Sequence, residues 1–309
     1  MTRRALVTGA AGFIGSNLCR KLLDEGWQVT GVDDLSSGHL DLISNLKGLR
    51  MVINDFASDY ILDEVKKGDF DIVFHVAAVP RVSYSVENPA DTTLNNVGKT
   101  VKLMETCRGK IDRFVFSSSS SVYGGAEIMP TPVHQPRDPK SPYAWQKSSI
   151  EDLLRMFGNL YDFDSVCLRY FNVFGPNQYG DSPYSTAISA WCHAVKHGTA
   201  LRKDGTGEQS RDMCYVDNVV DVNIRAANHE GTFRGEAFNV ACGDRTSNNQ
   251  ILAKFQEKFG DLNINQAPFR PGDVMHTQAD ISETERVFGY KPLVRFWDGL
   301  EKTFEWWDI

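Results

Sequence analysis

The chain has 309 residues, 41% of them hydrophobic and 24% charged, and a formal net charge of -7 at pH 7. This composition is typical of a globular protein that is long enough for two structural units sharing an interface. Nucleic-acid backbones and anionic membrane surfaces require clustered positive charge, so we expect neither as a partner. An anionic small molecule would need local arginines instead.

The six cysteines are spread through apolar contexts and include no C-x-x-C pair. This pattern predicts free, buried thiols in a reducing compartment, and we expect no metal site. The apolar run at residues 5–8 is too short for a signal peptide, and no stretch approaches the ~18 apolar residues of a membrane span. We therefore expect a cytoplasmic protein.

Short apolar segments alternate with helical patterns through the first half of the chain. Residues 5–8 predict a buried strand, and apolar residues then recur at helical spacing until Gly26 ends the helix. Further strands are predicted at 28–33, 49–53, 72–76, 114–117 and 166–170, with helices at 92–107 and 142–160. This alternation predicts an α/β fold with a doubly wound parallel sheet of the Rossmann type.

The rhythm changes after residue 170, where glycine, proline and polar residues become frequent up to residue 212. We predict a Rossmann domain over 1–170 and a smaller C-terminal α/β substrate-binding domain over 171–309. One more apolar strand is predicted at 237–241. A return segment near 213–243 is therefore expected to rejoin the main sheet.

A glycine-rich turn follows the first strand directly. Gly9, Gly12 and Gly15 are spaced three apart, and Phe13 and Ile14 open the next helix. Small residues let backbone N–H groups approach a pyrophosphate, and the helix N-terminus stabilises its charge. The strand–turn–helix context favours a dinucleotide site over a simple packing turn.

Asp33 ends the second predicted strand, about 20 residues after the turn, where an acid accepts hydrogen bonds from the adenosine ribose. A carboxylate there repels a 2′-phosphate. Asp33 therefore indicates NAD rather than NADP, and the alternative is a solvated loop carboxylate.

Tyr143 and Lys147 lie four residues apart on the helix predicted at 142–160, so both project from one face. A phenol with a pKa near ~10 is a poor base at neutral pH. A nearby ammonium and a positively charged nicotinamide ring both favour the phenolate. Lys147 can also hold a nicotinamide ribose hydroxyl. An isolated Y-x-x-x-K is usually an ordinary helix face, but here the glycine turn and Ser119 precede it.

These motifs resemble the extended short-chain dehydrogenase/reductases of the NAD-dependent epimerase/dehydratase family over nearly the whole chain. The resembling segments are Asp55-Phe56, His75-Val76-Ala77-Ala78, Asn95 with Gly98, residues 119–124 (SSSVYG), Tyr143 to Lys147, and residues 169–176 (RYFNVFGP). The resemblance implies that Asp55, Phe56, Ala77 and Asn95 contact NAD. It also implies that Ser119 passes the proton between a substrate hydroxyl and Tyr143.

The resemblance further implies a UDP-sugar substrate. The loop at 204–212 and Arg270-Pro271-Gly272-Asp273 are similar to the nucleotide-sugar site of this family. Two arginines can grip a diphosphate, and an acid can bind the uridine ribose. The implied substrate contacts are Ser120, Ser121, Asn172, Arg211, Arg270 and Asp273.

Thr277 is the seventh residue after Arg270, where a residue of the resembling epimerases lines the sugar pocket. A bulky residue there excludes a 2-acetamido group, whereas a small one admits it. Thr277 therefore favours UDP-N-acetylglucosamine and UDP-N-acetylgalactosamine as substrates besides UDP-glucose and UDP-galactose. The alternative is a strand residue without substrate contact.

The implied reaction is 4-epimerisation through transient oxidation at sugar carbon 4, with Tyr143 as base. A UDP-glucuronate 4-epimerase stays open as an alternative. A dehydratase or decarboxylase is disfavoured because Ser120-Ser121 stand where those enzymes carry acids. A non-catalytic NAD-binding regulator is disfavoured because Ser119, Tyr143 and Lys147 are all present. The resemblance also implies a homodimer formed by the helices at 92–107 and 142–160.

Overall fold

A computed structural model describes residues 2–80, 82–181, 185–269 and 274–309. The strands, in chain order, are β1 (Arg4–Thr8), β2 (Gln28–Asp33), β3 (Arg50–Ile53), β4 (Ile72–His75), β5 (Arg113–Ser119), β6 (Ser165–Tyr170), β7 (Val173–Phe174), β8 (Leu201–Asp204), β9 (Ser210–Arg211), β10 (Cys214–Tyr215), β11 (Arg234–Val240), β12 (Thr246–Ser247) and β13 (Ile264–Ala267). The α-helices are α1 (Phe13–Asp24), α2 (Asp59–Lys67), α3 (Val82–Glu87), α4 (Pro89–Thr93), α5 (Lys99–Cys107), α6 (Pro142–Tyr161), α7 (Ala187–His197), α8 (Val216–Asn228), α9 (Asn248–Phe259), α10 (Ser282–Phe288) and α11 (Phe296–Trp307).

The central sheet has seven strands in the order β11-β6-β5-β4-β1-β2-β3, and all its pairings are parallel. The direction of winding reverses between β1 and β4. In a doubly wound sheet this reversal opens a crevice at the carboxyl ends of the strands, where ligands bind. The predicted doubly wound α/β fold is confirmed.

Both faces of the sheet are covered by helices, and successive strand residues supply the two cores. Leu6 of β1 packs with apolar residues of α2, α5 and α6, whereas Ala5 and Val7 pack with α1 and α8. Strands β1, β4 and β6 are buried along almost their whole length, so each reads as a short apolar run. This explains why the strands of the first half were recognisable from sequence.

The helix predicted at 92–107 is confirmed, but it begins earlier and is not uniform. It runs from α4 through a π-helical segment, Leu94–Gly98, into α5. A π-helical turn inserts one extra residue and changes which side chains face inward. Asn96 is thereby buried, while Leu94 is exposed.

The C-terminal half combines short strand pairs with helices. β7 pairs with β10, β8 with β13, and β9 with β12. The predicted strand at 237–241 corresponds to β11, which pairs with β6 at the edge of the central sheet. A single buried apolar cluster extends from Ala5 of β1 to Trp307 of α11. The division into two domains at residue 170 stays a prediction.

Helix α2 escaped the sequence analysis, although its buried residues Ile61, Leu62 and Val65 have helical spacing. All six cysteines are buried and free, as predicted. Among the described residues, no helix is both long and apolar enough to cross a membrane.

Candidate active site

The glycine-rich turn joins β1 to α1 at the point where the sheet winding reverses. Gly9 has a positive φ of +70°, and a Cβ there would lie 2.9 Å from the backbone of Ala77. A Cβ on Gly15 would lie 2.0 Å from the Gly9 carbonyl oxygen. Only glycine fits at either position, so the turn packs tightly against the segment after β4.

The N-terminus of α1 is open for an anion. Gly12 is its N-cap residue, no side chain caps it, and no acidic residue lies in its first turn. The first backbone N–H groups of a helix have no intrahelical acceptor and carry partial positive charge. Phe13 and Ile14 therefore begin the helix with amides suited to a pyrophosphate.

Asp33 lies at the carboxyl end of β2, beside the same turn. Its Oδ2 accepts from the Ala11 amide at 3.0 Å, and its Oδ1 accepts from the Leu35 amide at 2.8 Å. Burial raises the pKa of Asp33, while both amides lower it. A carboxylate has further lone pairs, so ribose hydroxyls can still donate to it.

Three of the residues expected to contact NAD, Asp55, Phe56 and Asn95, lie after β3 and on the helix that includes the π-helical segment. Lys99 Nζ bonds Asp55 Oδ2 at 2.5 Å and Asn95 Oδ1 at 2.5 Å, which joins the latter two through one ammonium. Phe56 meets the His75 ring edge-on, with centroids 4.9 Å apart. Asn95 lies on the partly exposed side of its helix, so any contact with NAD would be at the rim.

His75 fixes the segment that contains Ala77. Its Nδ1 bonds Thr8 Oγ1 at 2.8 Å and its Nε2 bonds Thr100 Oγ1 at 2.8 Å, and the Ala77 amide donates to Thr8 Oγ1 at 3.1 Å. Burial lowers the pKa of His75 to about 3, helped by the charge of Lys147. The imidazole is therefore neutral and links β1, β4 and α5.

Tyr143 and Ser119 meet where α6 approaches the end of β5. Helix α6 begins after Ser141, whose hydroxyl accepts from the Ala144 amide, and Pro142 takes the first helical position. The Tyr143 side chain lies near Ser119, which affects its pKa. Burial raises the pKa of Tyr143 to about 12, and Ser119 lowers it only in part. In the protein alone, the phenol is therefore protonated at neutral pH.

Lys147 lies one helical turn after Tyr143 and is 4% exposed. Its Nζ donates to the Ser117 carbonyl oxygen at 2.7 Å and lies 4.7 Å from the centre of the Phe116 ring. Burial lowers the pKa of Lys147 to about 7. The structure thus places Ser119, Tyr143 and Lys147 in one cluster.

Ser120 and Ser121 begin a short 3-10 helix, Ser120–Tyr123, that continues from β5. The hydroxyl and the amide of Ser121 both donate to Ser119 Oγ, at 2.9 and 3.2 Å. Ser119 thus accepts hydrogen bonds from its own strand end as well as contacting Tyr143. Its hydroxyl proton stays available for a substrate or for the phenol.

Two buried amides that the sequence analysis left without a role brace this cluster. Asn96 pairs with both backbone groups of Val79, at 2.7 and 3.2 Å, and donates to Gln146 Oε1 at 2.8 Å. Gln146 in turn donates to Thr92 Oγ1 at 2.9 Å. Asn96 was hard to recognise because its inward direction depends on the π-helical turn.

The predicted sugar-side residues come together beyond the end of β6. Asn172 Nδ2 donates to Thr277 Oγ1 at 3.1 Å and to the Asp212 carbonyl at 3.2 Å. Asp212 is buried, and its carboxylate accepts from the amides of Cys242, Gly243 and Ala279. Burial raises the pKa of Asp212 to about 7. Ser119 pairs with Tyr170 in the sheet, so this group adjoins the Tyr143 cluster.

Arg211 lies on β9 next to the segment that carries Thr277. Its Nη1 donates to the carbonyls of Ser210 and Met275, at 3.0 and 3.1 Å. The Thr277 amide donates to the Ser210 carbonyl at 3.0 Å, which fixes the two segments side by side. The other two predicted diphosphate and ribose contacts, Arg270 and Asp273, lie outside the described residues.

The chain fits NAD in two respects that the structure itself displays. The close approach of Gly9 to Ala77 and the uncapped start of α1 form a cradle for a pyrophosphate. The carboxylate of Asp33 lies at its edge, where a ribose diol would be bound. Ser119 at the carboxyl end of β5 and Tyr143 on α6 then lie beside the middle of the crevice.

Comparison with known proteins gives consistent matches. The model of the NAD dependent epimerase/dehydratase family matches residues 5–241. A UDP-glucose 4-epimerase from Mycolicibacterium smegmatis is 36% identical over 98% of this chain and 97% of its own length.

Two solved structures match almost completely. A UDP-N-acetylglucosamine 4-epimerase from Methanobrevibacter ruminantium, in complex with UDP-N-acetylmuramic acid, has 35% identity and a TM-score of 0.92, covering 99% of this chain and 98% of its own. A UDP-glucuronic acid 4-epimerase from Bacillus cereus, in complex with UDP-glucuronic acid and NAD, has 30% identity and a TM-score of 0.88, covering 99% of each chain. The cofactor is NAD, and the chain belongs to the NAD-dependent epimerase/dehydratase family.

Proposed function

We propose that this chain is a UDP-sugar 4-epimerase. The observation that carries the proposal is the cluster of Ser119, Tyr143 and Lys147 at the crevice of the sheet, beside the glycine turn. Full-length similarity to 4-epimerases of several UDP-sugars supports the reaction type.

In the proposed reaction, NAD supplies a positively charged hydride acceptor that also returns the hydride. The residues of the chain accept and return the proton of the sugar hydroxyl. Tyr143 Oη takes the proton of the hydroxyl at sugar carbon 4, with Ser119 Oγ between them or beside them. Because burial holds the pKa of Tyr143 at about 12, the phenolate needs nearby positive charge, and Lys147 supplies it from one turn away.

The oxidised sugar must present its other face before the hydride returns to carbon 4 and the proton returns to the oxygen on that carbon. The pocket therefore needs room beside the ring. The small side chain of Thr277, which accepts a hydrogen bond from Asn172, supports the proposal that this room exists. We propose that UDP-N-acetylglucosamine and UDP-N-acetylgalactosamine are accepted as well as UDP-glucose and UDP-galactose. Asn172 and Arg211 would hold the sugar and diphosphate, together with Arg270 and Asp273.

The test is a panel of UDP-glucose, UDP-galactose, their N-acetylated forms and UDP-glucuronate, each incubated with purified protein and analysed for its C4 epimer. We expect conversion of the first four in both directions without net consumption of NAD. Conversion of UDP-glucuronate alone would favour a UDP-glucuronate 4-epimerase. The similarity to the Bacillus cereus enzyme supports this alternative. Loss of water or carbon dioxide from any substrate would refute the epimerase proposal.

The predicted homodimer, domain division and individual site residues belong to this proposal as well. Apolar side chains on the π-helical segment and on α6 are exposed, including Leu94 and Leu160, each 64% exposed. Such a face on helices next to the active site suits pairing with a second copy across a two-fold axis.

A further inference from the structure

The buried face of α6 carries three polar side chains in one row. Tyr143, Lys147 and Glu151 follow each other at intervals of four residues, which aligns them along the helix. Glu151 is 4% exposed, as is Lys147. A buried carboxylate is costly unless charged or polar groups surround it, so its place in this row requires an explanation.

The row lies against three consecutive serines at the end of β5. The lysine Nζ donates to the Ser117 carbonyl at 2.7 Å, Ser118 Oγ donates to Glu151 Oε1 at 2.5 Å, and Ser119 is the neighbour that lowers the pKa of Tyr143. Each member of the row thus lies against a different residue of β5. The position of Glu151 therefore influences how Tyr143 and Lys147 are placed along β5.

Two arginines form ion pairs with the Glu151 carboxylate. Arg169 Nε and Nη2 donate to its two oxygens at 2.9 and 2.7 Å, and Arg137 Nη1 donates at 3.3 Å. A bidentate guanidinium is a strong and geometrically specific partner for a carboxylate. The carboxylate of Glu151, held by these two guanidinium groups, thus lies one turn from Lys147.

The other titratable groups that face Lys147 among the described residues are uncharged at neutral pH. Burial raises the pKa values of Tyr143 and of Cys167 on β6, and burial lowers the pKa of His75 on β4. Burial also lowers the pKa of Lys147, and the charge of Glu151 opposes this shift. The glutamate is thus the group that favours an ammonium at this position.

We propose that Glu151 is a positioning residue of the active site, whose carboxylate keeps Lys147 charged and holds the row of α6 against β5. The inference rests on the proposed function, because a charged Lys147 matters through its effect on Tyr143. Activity would then be lost at high pH when Lys147 releases its proton.

The main experiment is the pH profile of kcat for Glu151→Gln. The amide keeps an oxygen that can accept from Arg169, but the charge is gone. We expect the alkaline limb to move to lower pH by about one unit. Glu151→Asp, which restores the charge, should bring the limb back. Ser118→Ala is the matched control, since it removes a bond to the same carboxylate and should lower Tm without moving the limb.

A second variant covers the case in which Glu151→Gln fails to fold. Arg137 is partly exposed, and Arg137→Gln removes a cation beside Glu151, so the alkaline limb should move to higher pH. Unshifted limbs in the folded variants would overturn the proposal and leave Glu151 a purely structural residue.

One readout does not depend on the proposed activity. In protein labelled with ¹³C-lysine, the Lys147 signal, assigned through Lys147→Arg, should titrate at lower pH in Glu151→Gln than in the wild type. If no UDP-sugar is epimerised but this shift occurs, the proposed function fails while the pairing of Glu151 with Lys147 stands. An unchanged titration refutes the pairing itself.

Discussion

At the scale of single residues, the site depends on a phenol whose environment works against its ionisation. Burial holds the pKa of Tyr143 at about 12, and Ser119 lowers it only in part. Positive charge must supply the difference, which explains why a lysine is tolerated at 4% exposure nearby. In the protein alone, Tyr143 is thus a poor base. We expect it to become an effective base when NAD adds positive charge to the site.

Removal of the phenol oxygen should therefore stop turnover. We expect Tyr143→Phe to lose at least about 10³-fold in kcat, because no other described group is placed to take the proton, and Ser119→Ala to lose roughly 10²–10⁴-fold. Both variants should keep the wild-type circular dichroism spectrum and NAD binding. Near-normal kcat in folded Tyr143→Phe would exclude the proposed proton path.

Substrate choice is also expected to depend on one residue. Thr277→Tyr would fill the space beside Asn172. Overlap rejects a larger substrate strongly, so turnover of the N-acetylated sugars should fall by more than about 100-fold while that of UDP-glucose changes little. The measurement is kcat/KM for both sugar classes, with Thr277→Ser as the control that keeps the pocket open. An equal loss in both classes would mean that Thr277 does not select the sugar.

Sequence motifs located Ser119, Tyr143 and Lys147 correctly as neighbours, because fixed helix and strand spacings determine where such side chains project. They did not reveal the partners of Glu151, since Arg169 and Ser118 reach it from two different strands. Asn96 was missed beside Asn95 for another reason: one π-helical turn decides which asparagine faces inward. Contacts across elements, and local changes in helix pitch, are not encoded in short motifs.

At the scale of elements, His75 links two strands and a helix through its two ring nitrogens. Its pKa is lowered from 6.5 to about 3, so the folded protein keeps it neutral where the unfolded chain takes up a proton. The contribution of His75 to stability is therefore fully present above pH 6.5. It is lost progressively as the pH drops below that value.

The expected slope is about 1.4 kcal/mol of unfolding free energy per pH unit between pH 6 and 4, in addition to the contribution of the carboxylates. Urea unfolding of the wild type and His75→Gln across this range measures it. The variant should be less stable at pH 7, but its stability should decline less steeply on acidification. Parallel pH curves would show that His75 titrates normally in the folded protein.

The inner strands of the central sheet, such as β1 and β4, could be predicted because they are apolar on both faces. Helix α2 has the right spacing of Ile61, Leu62 and Val65 but is short, and the two-residue strands of the second half have no periodicity to detect. Those strands form only because segments distant in sequence, such as β9 and β12, meet in space.

At the scale of the whole molecule, the exposed apolar face on α6 and the π-helical segment predicts association. Leu94 and Leu160 are each 64% exposed, and Met156 is 46% exposed. We expect light scattering to give twice the mass of one chain at micromolar concentration, because pairing buries this face.

The double variant Leu94→Glu/Leu160→Glu should be monomeric, since two buried carboxylates without partners oppose pairing. Leu293→Glu, at a position 60% exposed and outside this face, is the matched control and should leave the mass unchanged. A monomeric wild type would show that the predicted dimer does not form. Equal masses for the double variant and Leu293→Glu would show that the interface lies elsewhere.

The central claim is transient oxidation at sugar carbon 4, and the fate of the hydrogen on that carbon tests it most directly. UDP-galactose or its N-acetylated form, carrying deuterium at carbon 4, should yield the C4 epimer with the deuterium still on carbon 4 and no solvent hydrogen incorporated. Folded Tyr143→Phe should give no product under the same conditions. Release of the label to water, or exchange at carbon 5 with loss of water, would contradict the account.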